Sequence, residues 1–131
     1  KFTSTIWRST MAKILIVDDD AQTTALLESM VKMTGNEPTS VNLSRHAIQV
    51  ARSINPDIIL LDIMMEGING IELCKLLKAD ANLGSIPVVM VSALSDIGSK
   101  RDSFNAGAID FITKPVLPRD FAERIQEILR R

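Results

Sequence analysis

The chain has 131 residues, of which 46% are hydrophobic, and its 15 basic and 16 acidic side chains give a formal net charge of -1. This length suits one domain with its own core, and the balanced charge provides no field that would draw nucleic acid or an anionic membrane to it. No apolar stretch approaches the roughly 18 to 20 residues that span a bilayer, so we expect a soluble domain that binds neither DNA nor membrane directly.

The first ten residues, KFTSTIWRST, precede Met11, a plausible initiator, and show no periodic pattern. They are too short and too polar for a secretory signal. We interpret residues 1 to 10 as an added leader or, as the alternative, a natural extension. Residues 11 to 131 are assigned to the domain.

After this segment, short apolar runs alternate with amphipathic segments of helical length. The run KILIV, Lys13 to Val17, predicts a strand buried on both faces. Asp20 stands where a helix N-cap is expected, and Gly35 supplies the stop of that first helix. Pro38 to Val41 predicts only a weak strand, because proline has no backbone donor.

The middle of the chain repeats this alternation. Ser44 is expected to cap a second helix that closes at Asn55, directly before a proline. The apolar run from Ile58 to Leu61 predicts a strong strand, and periodicity predicts a helix from Gly70 to Ala79. The run PVVMV, Pro87 to Val91, predicts another buried strand.

The single cysteine, Cys74, lies within the apolar pattern of the predicted third helix. It cannot form an internal disulfide, which suggests a reducing, cytoplasmic environment. The simplest interpretation of Cys74 is a small buried hydrophobe.

The last third completes the pattern. A weaker helix is predicted from about Ser99 to Ala106, a short strand from Ile109 to Ile112, and a final helix from Arg119 to Leu129. Five strands thus alternate with five helices, and the strands are hydrophobic throughout. This pattern predicts an α/β fold with a parallel sheet covered on both faces.

Polar side chains follow four of the predicted strands. Asp18 and Asp19 follow the first strand, Asp62 the third, Ser92 the fourth and Lys114 the fifth. Each residue alone is a weak signal, since an aspartate after a strand is most often a turn former. Because ligands bind at the carboxyl ends of parallel strands, we expect all five side chains to meet at one edge of the sheet.

Three clustered carboxylates need a cation or a proton between them. Two carboxylates about 5 Å apart repel by roughly 3 kcal/mol at an effective dielectric near 20, so without a cation one of them should have a raised pKa. An all-oxygen cluster suits Mg²⁺. We therefore predict Asp62 as a nucleophile toward phosphorus, with Mg²⁺, Lys114 and Ser92 neutralising the phosphoryl oxygens. His46, on the predicted second helix, is expected to be solvated.

Four segments, in this order, carry a family resemblance: ILIVDDD, PDIILLDIMMEGINGIE, VVMVSA and AGAIDFITKP. They resemble the signatures of the response-regulator receiver domain of two-component signalling, the CheY-like members of the flavodoxin-like class. The resemblance covers about Lys13 to Leu129. It implies a doubly wound sheet of five parallel strands in the order 2-1-3-4-5 with five helices.

The resemblance also implies a set of roles. Asp62 would accept a phosphoryl group from the phosphohistidine of a histidine kinase or phosphotransfer protein. Asp18 and Asp19 would hold Mg²⁺ together with Asp62 and the backbone carbonyl of Met64. Lys114, joined by a cis bond to the following proline, would bind a phosphoryl oxygen.

The implied output is a change in the face made by the fourth helix, fifth strand and fifth helix. Ser92 would move toward the phosphoryl group, and Phe111 would change rotamer to follow it. The altered face would contact an output domain, a target protein or a second copy of the chain. The domain would thus catalyse its own phosphorylation and dephosphorylation and would not be an enzyme acting on a separate substrate.

Several residues depart from the usual receiver pattern. Glu66 replaces a common proline, which adds negative charge and a freer loop, and we expect it to slow phosphorylation or loosen Mg²⁺. Asn69 replaces a common aspartate and Val116 a common phenylalanine. Met64 and Leu94, which flank the phosphoryl group in this family, are apolar and cannot orient water, so we expect a long-lived aspartyl phosphate. The alternative is that both side chains turn outward and matter little.

Receivers that drive winged-helix transcription factors pair through charges on the output face. Two such pairs are available here: Lys100 with Asp120, and Asp110 with Arg131. Ile109 stands where a third acidic partner is usual, which would leave Arg124 without one. Exposed ion pairs each contribute little, so we place this domain outside that dimerising group.

Two other functions fit parts of the sequence. The segment Asp18 to Asp20 resembles the nucleophile motif of haloacid-dehalogenase-type phosphatases, in which Asp18 would attack phosphorus, although that class ordinarily has a longer chain. A receiver-like scaffold that is never phosphorylated is the other alternative, and Glu66 is the residue that favours it. The sequence names neither the kinase and signal nor the output, and it does not tell a stand-alone receiver from part of a longer regulator.

Overall fold

The computed structural model describes residues 11–131, so the interpretation of residues 1 to 10 as a leader lies outside the described residues. Strands and helices alternate along the described chain. The strands are β1 (Lys13–Val17), β2 (Glu37–Val41), β3 (Ile58–Leu61), β4 (Val88–Ser92) and β5 (Asp110–Thr113). The helices are α1 (Ala21–Met33), α2 (Ala47–Ile54), α3 (Gly70–Ala79), α4 (Ile97–Asn105) and α5 (Pro118–Arg130), with a 3-10 turn at Ser44–His46 before α2.

The strands form one parallel sheet in the order β2-β1-β3-β4-β5, which confirms the predicted fold. The weak strand that contains Pro38 is an edge strand, where a missing backbone donor is tolerated. From β1 the chain passes to β2 on one side, and it then returns to β3 on the other side of β1. The order in which the strands are added therefore reverses between β1 and β3. In open parallel sheets this reversal point is where ligands bind.

The strands are buried on both faces, as their continuous apolar sequences predict. Leu15 and Val17 of β1 pack in a core with α2, α3 and α4, whereas Ile14 and Ile16 pack in a second core with α1 and α5. Phe121 of α5 is fully buried in this second core. Within residues 11–131, none of the helices has the length and apolar character needed to cross a membrane.

Cys74 is completely buried on α3, and this burial raises the pKa of its thiol. Its sulfur lies 3.5 Å from the carbonyl oxygen of Ala106. The interpretation of Cys74 as a small core residue is therefore confirmed.

Side-chain caps fix the starts of α1 and α4. Asp20 caps α1 by accepting from the amide of Gln22 at 3.2 Å, as predicted. The weak fourth helix begins at Ile97, two residues earlier than expected, because Asp96 accepts from the amide of Ser99 at 3.0 Å. The sequence pattern alone did not identify Asp96 as the cap.

The prediction that Ser44 caps the second helix is wrong. Ser44 begins the 3-10 turn, which also carries the exposed His46, and α2 starts only at Ala47. The buried Ser44 hydroxyl instead donates to the carbonyl of Glu66 and accepts from the amide of Ile68, both at 3.0 Å. Ser44 thus bonds to the loop between β3 and α3.

Helix α3 begins in direct contact with the backbone at the end of β3. The Gly70 amide donates to the carbonyl of Ile63 at 2.8 Å, and a Cβ atom on Gly70 would lie 1.9 Å from the carbonyl oxygen of Asp62. No side chain fits at this distance. Because Gly70 has no side chain, the start of α3 packs directly against the Asp62 carbonyl and holds this part of the backbone in place.

We expect Gly70→Ala to lower the free energy of unfolding by about 2 kcal/mol, because the new methyl group must displace backbone. The matched control is Gly98→Ala in α4, where the nearest atom to a new Cβ is a flexible Asp96 carboxylate oxygen at 3.2 Å. The control should stay within about 0.5 kcal/mol of the native chain. Urea unfolding measures both, and equal stability of the two variants would contradict the close contact at Gly70.

Candidate functional site

The register of β1 and β3 brings two aspartates to the same level. Val17 pairs with Leu61, so Asp18 and Asp62 both come directly after the last paired residues. The amide of Asp62 donates to the carbonyl of Val17 at 3.0 Å, which ties the end of β3 to β1. Both carboxylates therefore lie at the reversal point of the sheet.

The register of β4 and β5 brings Lys114 to the same edge. Ser92 pairs with Thr113, and the amide of Lys114 donates to the Ser92 carbonyl at 2.9 Å. The bond between Lys114 and Pro115 is cis, as the resemblance implied. Ser92, the last residue of β4, and Lys114, directly after β5, thus lie at the edge that carries the aspartates.

Asp18, Asp19 and Asp62 form one acidic cluster, as the predicted convergence of these three carboxylates requires. One carboxylate oxygen from each residue lies within 4.8 Å of the others. Asp18 and Asp62 are only 2% and 7% exposed, whereas Asp19 is exposed. The cluster therefore has a buried floor and one solvent-facing member.

Lys114 neutralises part of this charge. Its Nζ atom lies 2.8 Å from Oδ2 of Asp18 and 3.5 Å from Oδ2 of Asp62. Burial of the ammonium lowers the pKa of Lys114, but the contacts with the two aspartates outweigh burial and leave the pKa raised. Lys114 is therefore charged at neutral pH.

Asp62 is the carboxylate with the raised pKa that the sequence led us to expect. Burial raises the pKa of Asp62 and the negative charge of Asp18 raises it further, while Lys114 and a hydrogen bond from the Ile63 amide lower it less. The Ile63 amide donates to Oδ1 of Asp62 at 2.8 Å. Ionised Asp62 is thus poorly compensated without a cation.

The donor set fits a hard divalent cation. Three ionised carboxylates against the one ammonium leave about two negative charges in the cluster, and every side-chain donor is an oxygen. Calcium and magnesium take such oxygen ligands. The cluster could therefore hold a divalent ion, with Asp18, Asp19 and Asp62 as its side-chain ligands.

The site opens into a cleft of about 700 Å³ next to the loop between β3 and α3. Asp19, Met64, Glu66 and Asp102 of α4 are among the residues that line the cleft. The cleft therefore meets the acidic cluster at Asp19.

The whole arrangement has counterparts among known proteins. The family model of the response regulator receiver domain matches residues 14–126. The chain belongs to the response-regulator receiver family. The recognition from four sequence motifs is thereby confirmed, and the domain is a signalling module of two-component systems.

Curated relatives of this receiver include transcriptional regulators. The DNA-binding response regulator MtrA of Mycobacterium tuberculosis (strain ATCC 25618 / H37Rv) is 34% identical over 119 residues, which cover 91% of this chain and 51% of that protein. The phosphate regulon transcriptional regulatory protein PhoB of Pseudomonas aeruginosa is 38% identical over 118 residues, which cover 90% of this chain and 52% of that protein. The chain spans about half the length of these relatives.

Solved receiver structures superimpose closely. A putative response regulator from Chloroflexus aurantiacus has a TM-score of 0.88 and 32% identity, with 92% of this chain and 99% of that chain covered. The BeF3-activated receiver domain of RstA from Klebsiella pneumoniae has a TM-score of 0.85 and 28% identity, with 91% and 99% covered.

The departures of this receiver from the usual pattern have local explanations. Asn69 caps α3 by accepting from the amide of Glu72 at 2.9 Å, which an amide oxygen does as well as a carboxylate. Val116 packs against the core formed with α1 and α5. Glu66 has a backbone amide that proline would lack, and this amide donates to Oδ2 of Asp19 at 3.0 Å.

The two apolar residues that flank the site differ in exposure. Met64 is 65% exposed, whereas Leu94 is half-buried and packs against the core with α2, α3 and α4. The amide of Leu94 donates to the Ser92 hydroxyl at 3.2 Å. Met64 thus faces solvent beside the cluster, and Leu94 holds the hydroxyl residue.

Arg124, for which the sequence offers no acidic partner at position 109 of a second chain, has two acidic partners within its own chain. Its guanidinium lies 2.9 Å from Asp110 and 3.1 Å from Asp120, and it also donates to the carbonyl of Phe111 at 3.0 Å. The sequence analysis considered only partners of Arg124 on a second chain. Both acidic residues considered for pairing with a second chain are therefore engaged within this one, and the placement of this domain outside the dimerising group stays a prediction.

Phe111 is turned inward on β5 and is only 7% exposed. The ammonium of Lys100, on α4, lies 5.8 Å from the centre of its ring. Together with Arg124, Lys100 connects Phe111 to both helices of the expected output face.

Three residues that contact the site were not assigned to it from the sequence: Asn42, Ser44 and Gly70. Asn42 and Ser44 reach the site from the segment after β2, and nothing in their local pattern indicates those contacts. Gly70 carries a weak signal, because a glycine opening a helical pattern is unfavourable unless the backbone approaches another segment closely.

Asp62→Asn should stabilise the domain at neutral pH without divalent ions, by on the order of 1 kcal/mol, because it removes a charge that Lys114 only partly compensates. Since the folded pKa of Asp62 is raised from 3.8, its ionisation opposes folding. The difference between the variant and the native chain should vanish below about pH 3.8 and grow as pH rises through the folded pKa.

Urea unfolding in EDTA at a series of pH values measures this difference. Glu123→Gln, at an exposed position on α5, is the matched control and should give no comparable gain. A destabilised Asp62→Asn variant at neutral pH would contradict the electrostatic description of the cluster.

Proposed function

We propose that Asp62 accepts a phosphoryl group from the phosphohistidine of a histidine kinase or a phosphotransfer protein, in a reaction that depends on Mg²⁺. The observation that carries this proposal is the position of the Asp62 carboxylate. It is fixed at the end of β3, within 4.8 Å of two further carboxylates and 3.5 Å from the Lys114 ammonium. This combines a nucleophile with the charges that phosphoryl transfer requires.

The reaction exchanges one phosphorus bond for another. An oxygen of ionised Asp62 attacks phosphorus, the bond from phosphorus to the histidine nitrogen breaks, and the imidazole keeps the electron pair. The Ile63 amide holds Oδ1 of Asp62 at 2.8 Å and thereby orients the carboxylate for attack. Mg²⁺, held by Asp18, Asp19, Asp62 and the Met64 carbonyl, would supply charge neutralisation for the phosphoryl oxygens.

Lys114 has two roles in this proposal. In the structure it pairs with Asp18 and Asp62, which stabilises the acidic cluster. After transfer, its ammonium would bind an oxygen of the phosphoryl group. The Ser92 hydroxyl, at the end of the neighbouring strand, would bind another.

The signal would leave the site through Ser92 and Phe111. Only the phosphorylated form offers Ser92 a phosphoryl oxygen, so phosphorylation would favour the conformation in which Ser92 has moved. Phe111 is on the adjacent strand, where it pairs with Met90 in the sheet. We propose that its movement changes the face made by α4, β5 and α5, where an output domain or target protein would bind.

The surroundings of Asp18 disfavour the phosphatase alternative. Asp18 is almost fully buried, is paired with Lys114 at 2.8 Å, and accepts from the amide of Asp20 at 2.9 Å. Its oxygens are therefore less available for attack on phosphorus than those of Asp62.

The unphosphorylated scaffold is also disfavoured, because Glu66 is exposed and its amide donates a hydrogen bond to Asp19.

We place this reaction in the cytoplasm, where ATP charges histidine kinases. The contact between receiver and donor would involve the open cleft beside Asp19 and Met64. The names of MtrA and PhoB describe DNA-binding or transcriptional regulation for those proteins. For this receiver we propose an indirect route to any such output, with no nucleic-acid or membrane contact by residues 11–131.

Incubation with acetyl phosphate and Mg²⁺ should add one phosphoryl group to the native chain, measured by intact mass. Asp62→Asn should show no gain, and EDTA should abolish the gain on the native chain. Peptide mapping after reduction of the acyl phosphate should locate the label at Asp62. A label at Asp18 would support the phosphatase alternative, and no label beside a competent control receiver would support the scaffold.

The aspartyl phosphate should decay slowly, over many minutes or longer in purified protein with Mg²⁺, because neither Met64 nor Leu94 can orient water. Met64→Gln, which adds an amide of similar size, should accelerate decay by about threefold to tenfold. Exposed Leu76→Gln on α3 is the matched control and should leave the rate unchanged. A half-life of seconds in the native chain would refute this proposal.

A further inference from the structure

The segment between β2 and α2 touches both backbone regions that carry the acidic cluster. The Asn42 side chain donates to the backbone carbonyl of Asp18 at 2.8 Å. Two residues later, the Ser44 hydroxyl bonds to the loop between β3 and α3 at Glu66 and Ile68. One short stretch of chain thus bridges the two halves of the site, which are the backbone at Asp18 and the loop between β3 and α3.

Asn42 fixes the first half. Its amide nitrogen donates to the Asp18 carbonyl and also lies 3.2 Å from the hydroxyl of Thr24, which in turn donates to the carbonyl of Ala21. The amide of Asp18 donates to the carbonyl of Val41 at 3.1 Å. Both backbone groups of Asp18 are therefore held by the end of β2 and the residue that follows it.

Ser44 fixes the second half. Its hydroxyl spans Gly67, which has a φ of +87° and is the point at which this loop would otherwise turn most freely. The Ser44 bonds hold Glu66 on one side of Gly67 and Ile68 on the other. The Glu66 amide then donates to Oδ2 of Asp19, so the restraint extends from Ser44 through the loop to a carboxylate of the cluster.

We infer that Asn42 and Ser44 are positioning residues that set the affinity of the acidic cluster for a divalent cation. The inference rests on the proposed Mg²⁺-dependent function. Residues that orient metal ligands from outside typically change metal affinity by tenfold or more when removed. Here the oriented groups are the backbone of Asp18, the loop that carries the Met64 carbonyl and, through Glu66, the carboxylate of Asp19.

The bridging contacts also explain how the loop stays ordered with Glu66 in place of proline. Proline would restrict the backbone at this position but could not donate to Asp19. With Glu66, the restraint comes from hydrogen bonds on both sides of Gly67. Ser44 is only 4% exposed, so its hydroxyl bonds are shielded from competing water.

Isothermal titration of Mg²⁺ into the unphosphorylated chain tests the inference without any activity measurement. Ser44→Ala and Asn42→Ala should each weaken Mg²⁺ binding by on the order of tenfold. Because the two residues hold different halves of the site, the fold-changes should multiply in the double variant. Ser29→Ala on exposed α1 surface is the matched control and should bind Mg²⁺ as the native chain does.

Phosphorylation by acetyl phosphate provides a second readout. The variants should be slow at low Mg²⁺ and should recover to within about twofold of the native rate when Mg²⁺ saturates, since the reacting groups are intact. If Ser44→Ala fails to fold, Ser44→Cys keeps the volume with only a weak donor and should show an intermediate loss of affinity.

Unchanged Mg²⁺ affinity in the folded variants would overturn the inference, even if their stability falls, because it would make Asn42 and Ser44 merely structural. In that case the native chain would still bind Mg²⁺ and gain a phosphoryl group, and the proposed function would stand. A native chain that binds no Mg²⁺ and gains no phosphoryl group would overturn both.

Discussion

The mutual repulsion of three carboxylates at one edge of the sheet is the constraint on which this receiver depends. Asp18, Asp19 and Asp62 approach within 4.8 Å because β1 and β3 are neighbours in register, and Lys114 supplies one compensating charge. Burial and the negative charge of Asp18 raise the pKa of Asp62, and the remaining negative charge makes the cluster a site for a hard cation. The uncompensated negative charge that opposes folding therefore also favours binding of the cation that the proposed reaction requires.

Much of this arrangement could be predicted because it follows from local sequence patterns. Continuous apolar runs predicted strands buried on both faces, and parallel strands bring the residues after their carboxyl ends to one edge. The sequence alone therefore groups Asp18, Asp62 and Lys114. The motifs around them added the strand order.

Most of the contacts around the site that the sequence did not predict join segments that are distant in the sequence. Ser44 looked like a helix cap, but its hydroxyl bonds to a loop more than twenty residues away. The sequence pairs Asp110 with a second chain, whereas the fold brings it to Arg124 of the same chain. Such side chains obey no periodicity, so their partners depend on tertiary packing.

An NMR titration of the ¹⁵N-labelled native chain with Mg²⁺ tests whether the acidic cluster holds a cation. We expect saturable amide shifts concentrated at the ends of β1 and β3 and in the loop from Ile63 to Ile68. Weak, unsaturated shifts spread over exposed acidic residues such as Glu123 would contradict this expectation, because they would mean that the cluster holds no cation.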